Sequence, residues 1–324
     1  MDPTKYKTIS GCTTFEYRYY FQAPDASSCS PKPTILFLHG FPSVASSWVN
    51  CVTHFTGKGY GVVVPDMLGY GGSSKPSHLS AYGGVVQAQD FVKILDKEGI
   101  EKVFVVGHDW GVRVTSRLAN LFPQRHLGTV FISLGYLPPA PDGLQTIATV
   151  KQEFGRDLFG YWKFFNEDDS PEIISQHIDS FFSILYTSNP ELWRNNFAPE
   201  GELKKWLLAD QRAHIPDWAP NKAEFEKIFK EGGWKAPTNW YRCIVRDAWG
   251  QQEKELAETT QQISYPVLQI TTTRDQICIP ALAISQTTPV CPNLRTKPID
   301  TLHWPMFEKP AELNAILETF FDGI

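Results

Sequence analysis

The sequence predicts an α/β protein: a mostly parallel central sheet flanked by helices, with a helical segment inserted into it. Three observations lead there. Short apolar runs alternate with helix-like stretches from Thr34 to Ser133, which is the pattern of strand–helix units in a parallel sheet. The alternation stops at Pro138-Pro139-Ala140-Pro141 and resumes at Pro266. Between the two breaks the chain is helical, polar and rich in aromatics, with seven of the ten tryptophans (162, 193, 206, 218, 234, 240 and 249) in it or just beyond it.

In chain order, Thr13 to Gln22 places Phe15, Tyr17, Tyr19 and Phe21 on alternate positions and reads as an antiparallel edge strand. Thr34 to Leu38 is a short buried strand running into His39-Gly40-Phe41-Pro42. Tyr60 to Val64 repeats the pattern and ends in the turn-rich Pro65-Asp66-Met67-Leu68-Gly69-Tyr70-Gly71. Ser46 to Phe55 is helix-like, and Ala81 to Lys97 is a stronger helix with its charges on one face. Lys102 to Val106 is a fully buried strand, Val112 to Phe122 a helix, and Gly128 to Ser133 a further strand. After the insertion come a strand at Pro266 to Thr271, a helix at Ile279 to Ser285, a strand at Leu294 to Pro298 and a last amphipathic helix at Glu308 to Phe321. The expected division is a first core part over 1–137, a helical cap over 138–247 and a second core part over 248–324.

Composition excludes several classes. A formal net charge of −5 leaves no basic footprint for nucleic acid. Apolar runs are short and broken by Gly, Pro or charge, so no membrane span is expected. Neither a secretory leader nor a peroxisomal address is legible, and the expected location is cytoplasmic. Six cysteines (Cys12, Cys29, Cys51, Cys243, Cys278, Cys291) lack metal or disulfide spacing and read as reduced thiols.

Chemistry concentrates at Gly107-His108-Asp109-Trp110-Gly111, a Gly-x-nucleophile-x-Gly step between strand and helix. The turn is too tight for side chains beside the nucleophile, hence the glycines. Its middle residue is Asp109, and no Gly-x-Ser-x-Gly occurs in the chain. A carboxylate there attacks by forming an ester of its own side chain, which suits an alkylating carbon. The expected order of partners is nucleophile, acid, base. Asp275, in Thr273-Arg274-Asp275 after a buried strand, and His303, in Leu302-His303-Trp304-Pro305 after the final strand, fill it. Asp275 would fix the His303 tautomer and stabilise the imidazolium. Asp142 is a rival acid, but its Pro-rich setting reads as a hinge of the insertion. His39, His54, His78, His108, His126, His177 and His214 read as packing or surface residues, with the backbone at His39 mattering more than its ring. No grouping has metal-ligand spacing, so no metal and no organic cofactor is expected.

Taken together, His39-Gly40-Phe41-Pro42, Gly107-His108-Asp109-Trp110-Gly111, Thr273-Arg274-Asp275 and His303-Trp304 with Lys309-Pro310 resemble the motifs of soluble-type epoxide hydrolases of the α/β-hydrolase fold. The resemblance covers essentially the whole chain, without an additional N-terminal domain. It implies conversion of an epoxide and water to a vicinal diol, as in detoxifying hydrolases. It also implies two lid tyrosines that hold the epoxide oxygen. Phe159-Gly160-Tyr161-Trp162-Lys163-Phe164-Phe165 is similar to the surroundings of the first, and Asn239-Trp240-Tyr241-Arg242 to those of the second. A phenol, with a pKa of about 10, suits donation to a developing alkoxide. The backbone N–H groups of Phe41 and Trp110 are the expected oxyanion hole, and the same four residues, Phe41, Trp110, Tyr161 and Tyr241, the expected substrate contacts. Val112 and Leu302 stand where the family often has smaller residues, which puts the fine geometry around Asp109 and His303 in question. The implied partner is a small apolar or aromatic epoxide, acted on by a monomer or homodimer. Competing readings are a haloalkane dehalogenase, in which the Trp110 indole would hold halide, and a ligand-binding relative without turnover. The dehalogenase reading leaves the paired tyrosines unexplained.

Overall fold

The computed structural model describes residues 1–27, 31–259 and 262–324; Cys29 lies outside them. Eight strands form one sheet in the order β1-β2-β4-β3-β5-β6-β7-β8. They are β1 (Tyr6–Ile9), β2 (Tyr17–Gln22), β3 (Thr34–Leu38), β4 (Gly61–Pro65), β5 (Val103–His108), β6 (His126–Ile132), β7 (Val267–Thr272) and β8 (Leu294–Ile299). From β4 to β8 all neighbours are parallel, while β1 and β2 pair antiparallel with each other and β2 with β4. Strands β3, β4, β5 and β7 are buried at every residue, as continuous apolar runs covered by helices on both faces should be.

The N-terminal region differs from the expectation. Thr13 to Gln22 is not the edge strand: β2 starts only at Tyr17, and the edge is the four-residue β1 beside it. The N–H groups of Thr14 and Phe15 are drawn off to the Asp90 carboxylate at 2.7 and 3.2 Å, so they cannot extend the ladder. Tyr6 of β1 meets Tyr20 of β2 edge-on at 5.4 Å, which gives so short a strand an anchor.

Two helices are split where the backbone demands it. Gly84 takes a φ of 113°, so the stretch expected as one helix from Ala81 is a 3-10 turn at Leu79–Tyr82 followed by a helix at Val85–Lys97. Pro310 pushes Lys309 out of helical geometry, and the last helix divides into Pro305–Glu308 and Pro310–Phe321.

Between β6 and β7 the described residues form helices and no strand, from Gly143–Phe154 through Lys235–Val245 to Gln251–Ala257. Their aromatic side chains face inward. Trp162, Trp193, Trp206, Trp234, Trp240 and Trp249 are all buried. Four of these indoles donate to carbonyls, among them Trp240 to Leu68 at 2.9 Å and Trp249 to Pro141 at 3.2 Å, so most of the tryptophans pack these helices together and onto the sheet. None of the described helices is long and apolar enough to cross a membrane.

Candidate active site

Asp109 follows the end of β5 with a φ of 51°, in the left-handed region that a non-glycine residue rarely adopts. The turn throws its carboxylate up at the carboxyl edge of the sheet and starts the helix Gly111–Leu121 immediately afterwards. Close approach requires the glycines around it. A Cβ on Gly111 would lie 2.9 Å from the His39 carbonyl oxygen, and one on Gly40 would lie 2.7 Å from the Trp110 nitrogen and against the Asp109 carboxylate. The end of β3 is thereby pressed onto the turn, and its backbone reaches the carboxylate: Phe41 N–H donates to Asp109 Oδ1 at 2.7 Å.

His303 arrives from the loop after β8. Its Nδ1 stands 2.7 Å from Asp275 Oδ2, and its Nε2 stands 3.6 Å from Asp109 Oδ2. Because an ionised carboxylate only accepts, Nδ1 carries a proton in either charge state; Nε2 donates toward Asp109 in the imidazolium and becomes the acceptor when the ring is neutral. Asp275 sits in the turn after β7, where its other oxygen accepts the N–H groups of Ile277 (2.9 Å) and Cys278 (3.0 Å). Asp142 takes no part: it caps the helix Gly143–Phe154 through Gln145 N–H at 2.8 Å.

The electrostatics follow from burial and from these contacts. Burial raises the Asp109 carboxyl above its ordinary value, opposed by the His303 charge and by the backbone N–H groups of Phe41 and Trp110. Burial also works against the Asp275 carboxylate. There the His303 charge and hydrogen bond, with the two backbone donors, outweigh it and hold the group below the usual range. Burial disfavours the His303 imidazolium, but Asp275, then Asp109 and Glu308, lift it above an ordinary histidine.

Tyr161 opens the helix Tyr161–Asn166, and Tyr241 lies within Lys235–Val245. Both are buried, their ring centroids are 5.8 Å apart, and Tyr241 also meets Phe41 at 4.9 Å and Trp110 at 5.2 Å. Burial pushes both phenols well above 10, and the Asp109 charge adds to it in each. Tyr161, Asp109 and Trp110 line one small cavity of about 70 Å³. All seven residues singled out in the sequence (Phe41, Asp109, Trp110, Tyr161, Tyr241, Asp275, His303) therefore converge on one buried locus.

Sequence reasoning missed the supports. Glu308 accepts the N–H groups of both neighbours of His303, Leu302 at 2.9 Å and Trp304 at 3.1 Å, and so fixes the loop that carries the ring. His108 Nε2 donates to the His303 carbonyl at 2.8 Å. The His39 ring does more than expected: its Nε2 accepts Met67 N–H at 2.9 Å, and burial holds it neutral with a pKa of about 4. A nearby Glu308 five residues after His303 was the only sequence signal for any of these. Val112 and Leu302 are accommodated. Both are buried, and Val112 N–H still closes the turn onto the Asp109 carbonyl at 2.9 Å.

Asp275, Cys278 and His303 are the only described residues whose ligand atoms cluster as a metal site would require, within 4.8 Å of one another. They fit a metal poorly, because Asp275 and His303 already spend their facing atoms on each other. Burial also keeps the Cys278 thiol protonated, well above 9.

Comparison with known proteins identifies the family. A family model described as alpha/beta hydrolase fold matches residues 33–310. The chain is 34% identical over 227 residues to "Epoxide hydrolase 3" of Siraitia grosvenorii, covering 67% of this chain and 68% of that protein. It is 27% identical over 290 residues to "Bifunctional epoxide hydrolase 2" of Sus scrofa, covering 88% of this chain and 50% of that one, so it spans about half the length of such bifunctional relatives. The crystal structure of epoxide hydrolase A from Mycobacterium thermoresistibile superposes with a TM-score of 0.78 at 26% identity, covering 98% of each chain. The chain belongs to the α/β-hydrolase fold family, among its epoxide hydrolases.

Proposed function

We propose that this protein hydrolyses epoxides to vicinal diols through an ester formed on Asp109. The observation that carries the reading is the joint placement of Asp109, paired with His303 and Asp275, and of two buried phenols beside it. Oδ2 of Asp109 attacks a ring carbon and the carbon–oxygen bond breaks. Tyr161 and Tyr241, on the helical segment that serves as cap, donate to the ring oxygen as it becomes an alkoxide. The product is a β-hydroxyalkyl ester whose carbonyl oxygen is Oδ1. His303 Nε2 then takes a proton from water, which attacks the ester carbon. The charge that develops on Oδ1 falls to the N–H groups of Phe41 and Trp110, a contribution of ~3 kcal/mol per donor. The diol leaves with the transferred oxygen, which takes the proton held by His303; the carboxylate re-forms with one oxygen from water, and the remaining water proton returns to the tyrosinate.

The dividing line between the two half-reactions supplies the test. Incubating His303→Gln with styrene oxide should give a stable mass increase of one substrate molecule, located on the peptide that contains Asp109. Asp109→Ala should give none. Absence of the adduct in His303→Gln would remove the covalent mechanism.

One observation favours a second reading. The indoles of Trp110 and Trp162 are buried, each beside one of the phenols (Trp110 at Tyr241, Trp162 at Tyr161), and the two rings lie 5.4 Å apart. Paired indole N–H groups beside a carboxylate nucleophile suit a departing halide. Turnover of 1-chlorobutane faster than styrene oxide would favour that reading, in which the two phenols have no task.

A further inference from the structure

Arg113 is the residue at this site that the mechanism leaves without work. It lies in the first turn of the helix that Asp109 initiates, is 2% exposed, and lines the same 70 Å³ cavity as Asp109 and Tyr161. Its guanidinium stacks 4.1 Å above the Trp110 ring. Nη1 donates to the carbonyls of Tyr82 (3.0 Å) and Trp240 (3.3 Å), which fixes the plane of the group. Nη2 has no partner among the described residues. Among the described residues no carboxylate forms an ion pair with Arg113, whereas Arg117, one turn further along the same helix, is buried against Glu253. Gln286 brings a second unpartnered group to the cavity, its Oε1, and exchanging the amide oxygen and nitrogen would offer a donor there.

An unpaired buried cation is strongly unfavourable, and an apolar side chain of similar length would fill the space without that cost. Burial draws the Arg113 pKa down to about 10, which still leaves the group charged at neutral pH. Glu253 and Asp109 act on it only through space, without a salt bridge, so a direct anionic partner for Nη2 has to arrive from outside the chain. The cavity is small and otherwise mostly apolar, with Leu134, Leu137 and Phe159 in its wall. One planar guanidinium in such a wall matches a singly charged, planar acceptor. A phosphate ester would bring more charge and more oxygens than these donors can satisfy.

We propose that Arg113 binds a carboxylate carried by the substrate, so that this protein acts on epoxides of organic acids with the acid group a few bonds from the ring. The inference rests on the epoxide hydrolase reading for its chemistry, and it replaces a purely apolar substrate with an apolar body ending in one anion. Stacking on Trp110 lets Arg113 hold that anion beside the nucleophile, where the Asp109 charge would otherwise repel it.

Two measurements test it. In the first, hydrolysis of trans-3-phenylglycidate is compared with that of trans-β-methylstyrene oxide, in which a methyl group replaces the carboxylate. The wild type should favour the glycidate by at least tenfold in kcat/KM, chiefly through KM. Arg113→Met should reduce that ratio to one or below, and Arg113→Lys should keep part of it. In the second, binding of unreactive 3-phenylpropanoate is compared with that of 3-phenylpropanamide by calorimetry on the wild-type protein. The acid should bind at least tenfold more tightly. A wild type that binds acid and amide alike and turns over the neutral epoxide at least as well as the glycidate overturns the proposal, whatever the folding of the variants. If neither epoxide is hydrolysed, the reaction reading fails, and the binding comparison still decides whether Arg113 recognises a carboxylate.

Discussion

His303 presents Nδ1 to Asp275 Oδ2 at 2.7 Å, in a contact buried on both sides. The same Asp275 is held on its other oxygen by Ile277 and Cys278 N–H, so its orientation does not depend on the histidine. Asp275→Asn would keep the shape but offer an N–H or a weaker acceptor to Nδ1, favouring the wrong tautomer. Ester breakdown should fall by on the order of 10³- to 10⁴-fold. Ester formation, which needs no base, should change far less. Rapid-quench mass spectrometry separates the two steps; equal losses in both would deny His303 and Asp275 a role confined to the second.

The two phenols share one task. A positioned acid contributes about 10²- to 10⁴-fold to such a step, and with Tyr161 and Tyr241 ring centroids 5.8 Å apart each can partly cover for the other. Tyr161→Phe and Tyr241→Phe should each lower the rate of ester formation by less than that range, and the double variant should fall inside it. Single-turnover rates at saturating styrene oxide give the comparison. Strict additivity of the two losses would argue against a shared oxygen.

Ionisation should differ between the resting protein and the ester. The Asp109 charge helps to lift His303 above an ordinary histidine. Alkylation removes that charge, so the His303 pKa must drop once the ester forms. Neutral His303 is the base, hence ester breakdown rises with pH and is lost as pH falls through the lowered pKa. The acid limb of ester decay should therefore lie at lower pH than the titration of His303 in the resting protein, followed by NMR of the imidazole nitrogens. Coincident transitions would show that the two groups do not communicate.

Much of this architecture was legible because its signals are local. Asp109 sits in a five-residue motif, and the buried strands are continuous apolar runs. What escaped depends on contacts across the chain. The four-residue β1 is too short for periodicity to register, and β2 owes its late start to Asp90, 75 residues away from Phe15. Arg113 reads from sequence as a charge on a helix. It is buried only because Tyr82 and Trp240, one before that helix and one 127 residues after Arg113, surrender carbonyls to it. Tyr161 and Tyr241 came from resemblance rather than from pattern, since nothing in their spacing brings two separate helices together.

The inserted helices are tied to the sheet at both ends by one side chain. Arg117, on the helix that Asp109 initiates, pairs with Glu253 on the helix Gln251–Ala257 and donates Nη1 to Leu137 O at 2.7 Å and Nη2 to Pro138 O at 2.8 Å, shortly after β6. Glu253 in turn accepts Val85 N–H at 3.2 Å. Both side chains are buried, so removing one strands the other. Arg117→Met should lower the free energy of unfolding by ~3–5 kcal/mol. The double variant Arg117→Met/Glu253→Gln should recover part of it, because the uncompensated charge is gone. Urea denaturation of the four proteins in the cycle measures the coupling. The same cycle read in kcat/KM reports whether the clasp also positions the helices that carry Tyr161 and Tyr241. An Arg117→Met loss in kcat/KM that the double variant does not repair would locate the effect in the two carbonyl contacts at Leu137 and Pro138 rather than in the ion pair.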